Sequence, residues 1–131
     1  MAATDVLVVV DSLGALTSGS LQDNVYLIDT NKYLGSWSEG QCELATTVKD
    51  TQQIVWRVTG VRPDVDVKIN KFTGEAIPGL INPKKTGEGA GLCWEGTVEA
   101  RGDYRKYQYS MELIFDNKKV MSFDPFINVV Q

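Results

Sequence analysis

The stretch that decides the fold is Tyr107–Ile127, YQYSMELIFDNKKVMSFDPFI. Tyr107, Tyr109, Met111, Leu113 and Phe115 fall on every second position, which lines one face of an extended strand with large apolar side chains. Gln108, Ser110 and Glu112 take the other face. The run breaks at Asp116-Asn117-Lys118-Lys119, four polar residues suited to a type I turn, and resumes over Val120–Phe123, so the stretch predicts a β-hairpin. Asp124-Pro125 comes next. Proline cannot donate to a ladder, which predicts an interruption or a sheet edge there before Phe126–Val130 continues.

Working outward, most of the chain repeats this two-residue alternation. Asp5–Asp11 is a β-branched run bounded by acids and predicts a central strand buried on both faces, whereas Ser12–Gln22, with Gly14 and Gly19 inside it, predicts a loop. Asn24–Asp29, Gln41–Val48, Gln53–Val58, Asp64–Asn70 and Trp94–Ala100 predict further strands, with Lys49–Gln52 turning between two of them. Val65, Val67 and Ile69 point inward, and so do Ile54, Trp56 and Val58. Phe72–Gly91 carries Pro78, Pro83 and five glycines without periodicity, the mark of a functional or mobile loop. Seven to eight strands with short turns predict an all-β fold, an antiparallel β-sandwich (jelly-roll or Ig-like) over a single domain, residues 1–131, with a closed barrel as the lesser alternative.

Composition narrows the function more by exclusion than by assignment. The chain of 131 residues carries a net charge of −4 and a pI near 4.8, which argues against a grip on nucleic acid or an anionic membrane. Lys84-Lys85 and Lys118-Lys119 are too few to reverse that and are expected on loops. Val6–Val10 is too short for a membrane span or signal peptide, so the protein is expected in the cytoplasm or secreted without a classical signal. Cys42 and Cys93 make neither a disulfide framework nor a metal site; two reduced thiols are the main reading and one bridge the other.

The sequence holds no histidine, which removes Ser-His-Asp and Cys-His catalysis and most zinc and copper sites. Glu95 and Glu99 share a strand face but would lie roughly 13 Å apart, too far for a glycosidase pair. Thr86–Gly91 resembles a phosphate loop only in its glycines, since no lysine and hydroxyl follow and a strand comes next. Asp64 and Asp66, or the strand-end acids Asp5, Asp11 and Asp124, are the available calcium ligands, without an EF-hand spacing. Arg101-Gly102-Asp103 reads as a tight turn before an integrin-type motif. No catalytic residue, metal or cofactor is assigned. Trp37, Tyr33 and Tyr104 are the candidate ligand- or partner-binding residues, because loop aromatics present large apolar area for sugars or proteins, whereas Trp56 and Trp94 follow core periodicity.

The motifs DVLVVVD (Asp5–Asp11), VWRVTG (Val55–Gly60) with the following DVDVKI, and MSFDPFI (Met121–Ile127) resemble the bacterial inclusion-body protein family, PixA/AidA-like, in the same order along most of the chain. That resemblance implies a β-sandwich without known catalytic residues, made in late growth or under quorum-sensing control by host-associated bacteria. It implies no functional residues. With three methionines in 131 residues, this chain is not methionine-rich like the crystalline inclusion proteins of that family. A non-enzymatic protein acting by self-association as a homo-oligomer, or by binding a host protein or glycan, is the resulting expectation, with a carbohydrate-binding module as the alternative.

Overall fold

The computed structural model of the chain describes residues 3–30, 44–62, 64–88 and 91–131. Among these the chain forms β1 (Thr4–Val10), α1 (Ser12–Ser18), β2 (Val25–Asp29), β3 (Ala45–Lys49), β4 (Gln53–Gly60), β5 (Val67–Thr73), β6 (Lys84–Thr86), β7 (Cys93–Thr97), β8 (Lys106–Gln108), β9 (Ser110–Phe115), β10 (Lys119–Phe123) and β11 (Phe126–Val130). They assemble into one sheet of order β2-β1-β4-β7-β6 and two three-stranded sheets, β10-β9-β5 and β3-β11-β8. The fold is mostly β, and none of these sheets closes into a barrel.

The opening stretch explains why there are three sheets. Tyr107, Tyr109, Met111, Leu113 and Phe115 are all buried, as their alternation requires. Yet the run serves two sheets: β8 pairs with β11, while β9 pairs with β10 and β5. The chain changes sheet at Tyr109, whose N–H donates to the carbonyl of Pro125 at 3.0 Å. The partner arm changes at the same level, because Pro125 has no N–H to continue the β10 ladder into β11. Ser110 Oγ donates to Asp124 across this corner. The connecting turn is also corrected: Asp116 and Asn117 have φ of 52° and 57°, the left-handed pair of a type I′ hairpin turn.

Parallel pairing is the main departure from two purely antiparallel sheets. β1 runs parallel to β4, and β11 parallel to β3. Alternation marks which side chains turn inward and is blind to strand direction. Three strands raise the count among the described residues above seven to eight: β11, split from β10 at Pro125, and β6 and β8, whose three residues each are too few to show a period. β1 is central, as expected, but its burial alternates: Val6, Val8 and Val10 are buried while Leu7 is 38% exposed.

Two connections differ from the loops expected. Asp11 accepts from the Gly14 N–H at 3.1 Å, which caps α1, and Gly19 ends it in the left-handed conformation at φ 75°. Gly14 leaves room there for the Asn24 side chain, whose Oδ1 would stand 2.3 Å from a Cβ and would have to shift to admit one. In Phe72–Gly91, Phe72, Ala76, Leu80 and Ile81 are buried in the core and Lys84-Lys85 lie on β6. A register shift between Ile69 and Lys71 lets β5 turn both Ile69 and Phe72 inward.

One apolar cluster joins all three sheets: Val8 and Trp56 from the first, Met111 and Phe72 from the second, Ile127 and Val48 from the third. At its centre Trp56 meets Phe72 with ring centroids 4.7 Å apart, and Phe72 meets Trp94 at 5.4 Å. Trp56 Nε1–H donates to the Tyr109 hydroxyl at 3.2 Å, and burial pushes that phenol well above its ordinary pKa.

Candidate functional site

β4 has two different halves. Gln53–Trp56 lies between β1 and β7, pairing Ile54 with Gly96 and Trp56 with Trp94. Past Trp56 the pairing with β1 continues to Gly60, but β7 starts only at Cys93 and offers no further partner. The space beside this second half is a cleft of about 850 Å³. Its walls are Arg57–Thr59 of β4 and Asp66–Ile69 running into β5; Lys85, Gly87 and Glu88 with Leu92–Trp94 close the far side.

Each lining side chain has a local reason for its place. Trp94 is half-buried because one part of its ring meets Phe72 while the rest borders the opening. Arg57 reaches across to Asp5 on β1, with Nη1 and Oδ1 2.9 Å apart. Lys68 Nζ stands 3.5 Å from Asp66 Oδ2. Gly87 turns the rim at φ 80°, and a Cβ there would sit 2.3 Å from the Gly91 carbonyl oxygen, so no other residue fits. The cleft therefore combines an apolar interior with charges that largely neutralise one another, an arrangement suited to holding a ligand.

Of the residues expected to bind, only Tyr104 falls among the described residues. Trp37 and Tyr33 fall outside the described residues, as does Cys42, while Cys93 is buried on β7. Tyr104 is 43% exposed beside the Arg101-Gly102 turn and does not line the cleft. That turn has φ of 54° and 86° and is closed by Asp103 N–H to the Ala100 carbonyl at 3.0 Å, so Arg101-Gly102-Asp103 is a tight turn. Asp103 is also held by the Tyr107 hydroxyl at 2.9 Å and Arg105 Nε at 3.1 Å, which keep its carboxyl below the usual range.

The acidic candidates are occupied as well. Asp64 accepts both branches of the Arg62 guanidinium at 3.1 Å, and that hydrogen bonding lowers its pKa. Asp5 is paired with Arg57, Asp11 caps α1 and Asp124 takes Ser110. Among the described residues no three acidic or cysteine side chains converge on a metal position. Glu99 lies beyond the end of β7 with Arg101 at 3.9 Å, and neither it nor Glu95 borders the cleft. The element after β6 is the strand β7, so among the described residues no helix follows the Thr86 to Gly91 glycines.

Sequence reading did not single out Arg57, Lys68 and Lys85 and assigned Trp94 to the core. They are brought together by β4–β7 and β6–β7 register and by the approach of β5, none of which leaves a local trace.

Comparison with known proteins places the fold. A model described as a domain of unknown function, DUF8788, matches residues 2–121. The crystal structure of the inclusion body protein PixA from Burkholderia cenocepacia J2315 superposes with a TM-score of 0.76, covering 99% of this chain and 98% of that one at 12% identity. At that identity the likeness is one of fold, and it agrees with the resemblance read from the Asp5, Val55 and Met121 motifs. No curated protein matches the sequence. Among the described residues no helix is long and apolar enough to cross a membrane.

Proposed function

We propose, for a chain that belongs to the DUF8788 family of domains of unknown function, a non-enzymatic binding role exercised by self-association or by capture of a partner protein or glycan. The scaffold is read as one β-sandwich domain over residues 1–131, of jelly-roll or Ig-like type. The observation that carries the reading is the outer face of β1 and β2. Leu7 and Ile28 stand opposite each other there at 38% and 48% exposure, and Tyr26, 45% exposed, pairs with Val9. Apolar side chains exposed side by side on a sheet support an interface there. The similar Burkholderia structure is described as an inclusion body protein, a description that favours self-association here. Expression in late growth or under quorum-sensing control, with the protein in the cytoplasm or secreted without a classical signal, belongs to the same reading.

Light scattering over a concentration series tests it. The wild type is expected to form a defined oligomer, with Tyr26→Lys and Ile28→Lys together returning it to a monomer. A wild-type monomer at every concentration overturns self-association and leaves partner capture.

Trp94, half-buried in a polar-rimmed cleft, favours carbohydrate binding as the second reading, with Trp37, Tyr33 and Tyr104 as its loop aromatics. Glycan-array signal lost in Trp94→Ala or Trp37→Ala supports that reading, and an array without signal overturns it.

A further inference from the structure

The ladder between β4 and β7 ends before the room for it does. Val98 N–H donates to the Gln52 carbonyl at 2.9 Å, which sets the phase: even-numbered residues of β4 turn their peptide groups toward β7. Odd-numbered positions turn toward β1, as Val61 N–H to the Val10 carbonyl at 2.8 Å shows. Ile54 and Trp56 are the even positions met by β7, and Val58 is the next, with no strand opposite it among the described residues. On the facing wall, Asp116 N–H donates to the Asp66 carbonyl at 2.8 Å, so Val67 and Ile69 turn their peptide groups away from β9. Val58, Val67 and Ile69 all line the same cleft.

An open strand margin is a template for another extended chain. The charges lining the cleft narrow what that chain is. Arg57 is taken by Asp5 and Lys68 by Asp66, leaving one cation, Lys85, and one anion, Glu88, without an ion pair among the described residues. With Asp5 counted as the partner of Arg57 the charges balance, which disfavours a strongly charged occupant, and the interior is apolar: Trp94, Val58, Val67 and Ile69.

We infer that the cleft takes an extended, uncharged peptide segment of another polypeptide. The segment adds antiparallel to β4 along the track that β7 leaves at Cys93. Its backbone exchanges N–H and C=O bonds with Val58, and alternate apolar side chains seat against Trp94, Val67 and Ile69. This deepens the partner-capture reading above and rests on it, not on the self-association reading.

The test pans a random heptapeptide phage library against the full chain. A selected peptide is then synthesised and titrated by tryptophan fluorescence, together with versions N-methylated at one backbone amide each. The expected result is a two-residue period. N-methylation at the position bonded to Val58 weakens binding about ten-fold, the loss of roughly one backbone hydrogen bond, and its sequence neighbours tolerate the change. Val58→Pro gives a similar loss, since the Val58 N–H is turned away from β1; if that variant misfolds, the N-methyl series decides alone. Failure to select any peptide overturns the inference, and so does a uniform effect along the peptide. A fluorescence response to an oligosaccharide but to no peptide overturns it in favour of the carbohydrate reading. An oligomeric protein that selects no peptide loses this inference and keeps self-association.

Discussion

The two halves of β4 share one strand, one partner in β1 and one alternation, yet they end in different environments. Ile54, Val55 and Trp56, held between β1 and β7, are buried, whereas Arg57 and Thr59 are exposed and Val58 is half-buried. The difference lies outside β4, in where β7 begins. A strand's burial is thus decided by its neighbours' lengths as much as by its own residues, and the half left with one neighbour is the half that borders a cleft.

The largest effect is expected in the closed half. Trp56→Ala is expected to cost about 3–5 kcal/mol, because it empties the space between Phe72 and Tyr109 and leaves the Tyr109 hydroxyl without its donor. Urea unfolding measures this, and a loss below about 1 kcal/mol would break the picture of a core centred on that ring. The matched pair Val55→Ala and Val58→Ala, which deletes the same two methyl groups from each half, sharpens the comparison directly: about 2 kcal/mol for the buried position against about 1 for the half-buried one. Equal losses would mean that the two halves are packed alike.

Gly87→Ala probes the rim. With φ at 80° and the Gly91 oxygen where the new Cβ would stand, a loss of about 1–3 kcal/mol is expected, confined to the rim and visible as faster hydrogen exchange in residues 84–88.

The smallest effect is electrostatic and distant from the cleft. Glu75 is held below its ordinary value first by the Gln108 N–H and then by Arg105, and Asp103 first by Tyr107 and then by Arg105. A depressed folded-state pKa contributes stability that is present above the unfolded values of 4.5 and 3.8 and is lost as pH falls through the lower folded values. Arg105→Ala is therefore expected to melt slightly below the wild type at pH 7, with the gap closing toward pH 2 in thermal melts. A gap that widens in acid contradicts this sign.

Several features were legible before the structure. The five apolar positions from Tyr107 to Phe115 are buried as their spacing demands, and Ile54, Trp56, Val98 and Ala100 follow the same rule. The α1 helix was not legible, because Gly14 lowers helix propensity while its real role is to admit Asn24 and Asp11 against the backbone. The cleft was not legible either: Arg57, Lys68, Lys85 and Trp94 come from four separate segments with no shared spacing. Trp94 looked like core because alternation reports which face a residue occupies, not whether the neighbouring strand reaches far enough to cover it.

The amino-acid order alone determined that this chain is a β protein, which side chains turn inward, and where Pro125 must interrupt the last strands. These follow from local geometry, the two-residue period of an extended chain and the missing N–H of proline. Only the tertiary structure decided that β1 runs parallel to β4, that one alternating run crosses from one sheet to another at Tyr109, and that β7 stops at Cys93, leaving Val58 with no strand opposite it among the described residues. Those are choices of partner and register. They are set by how distant segments share one core, and nothing within a segment encodes them.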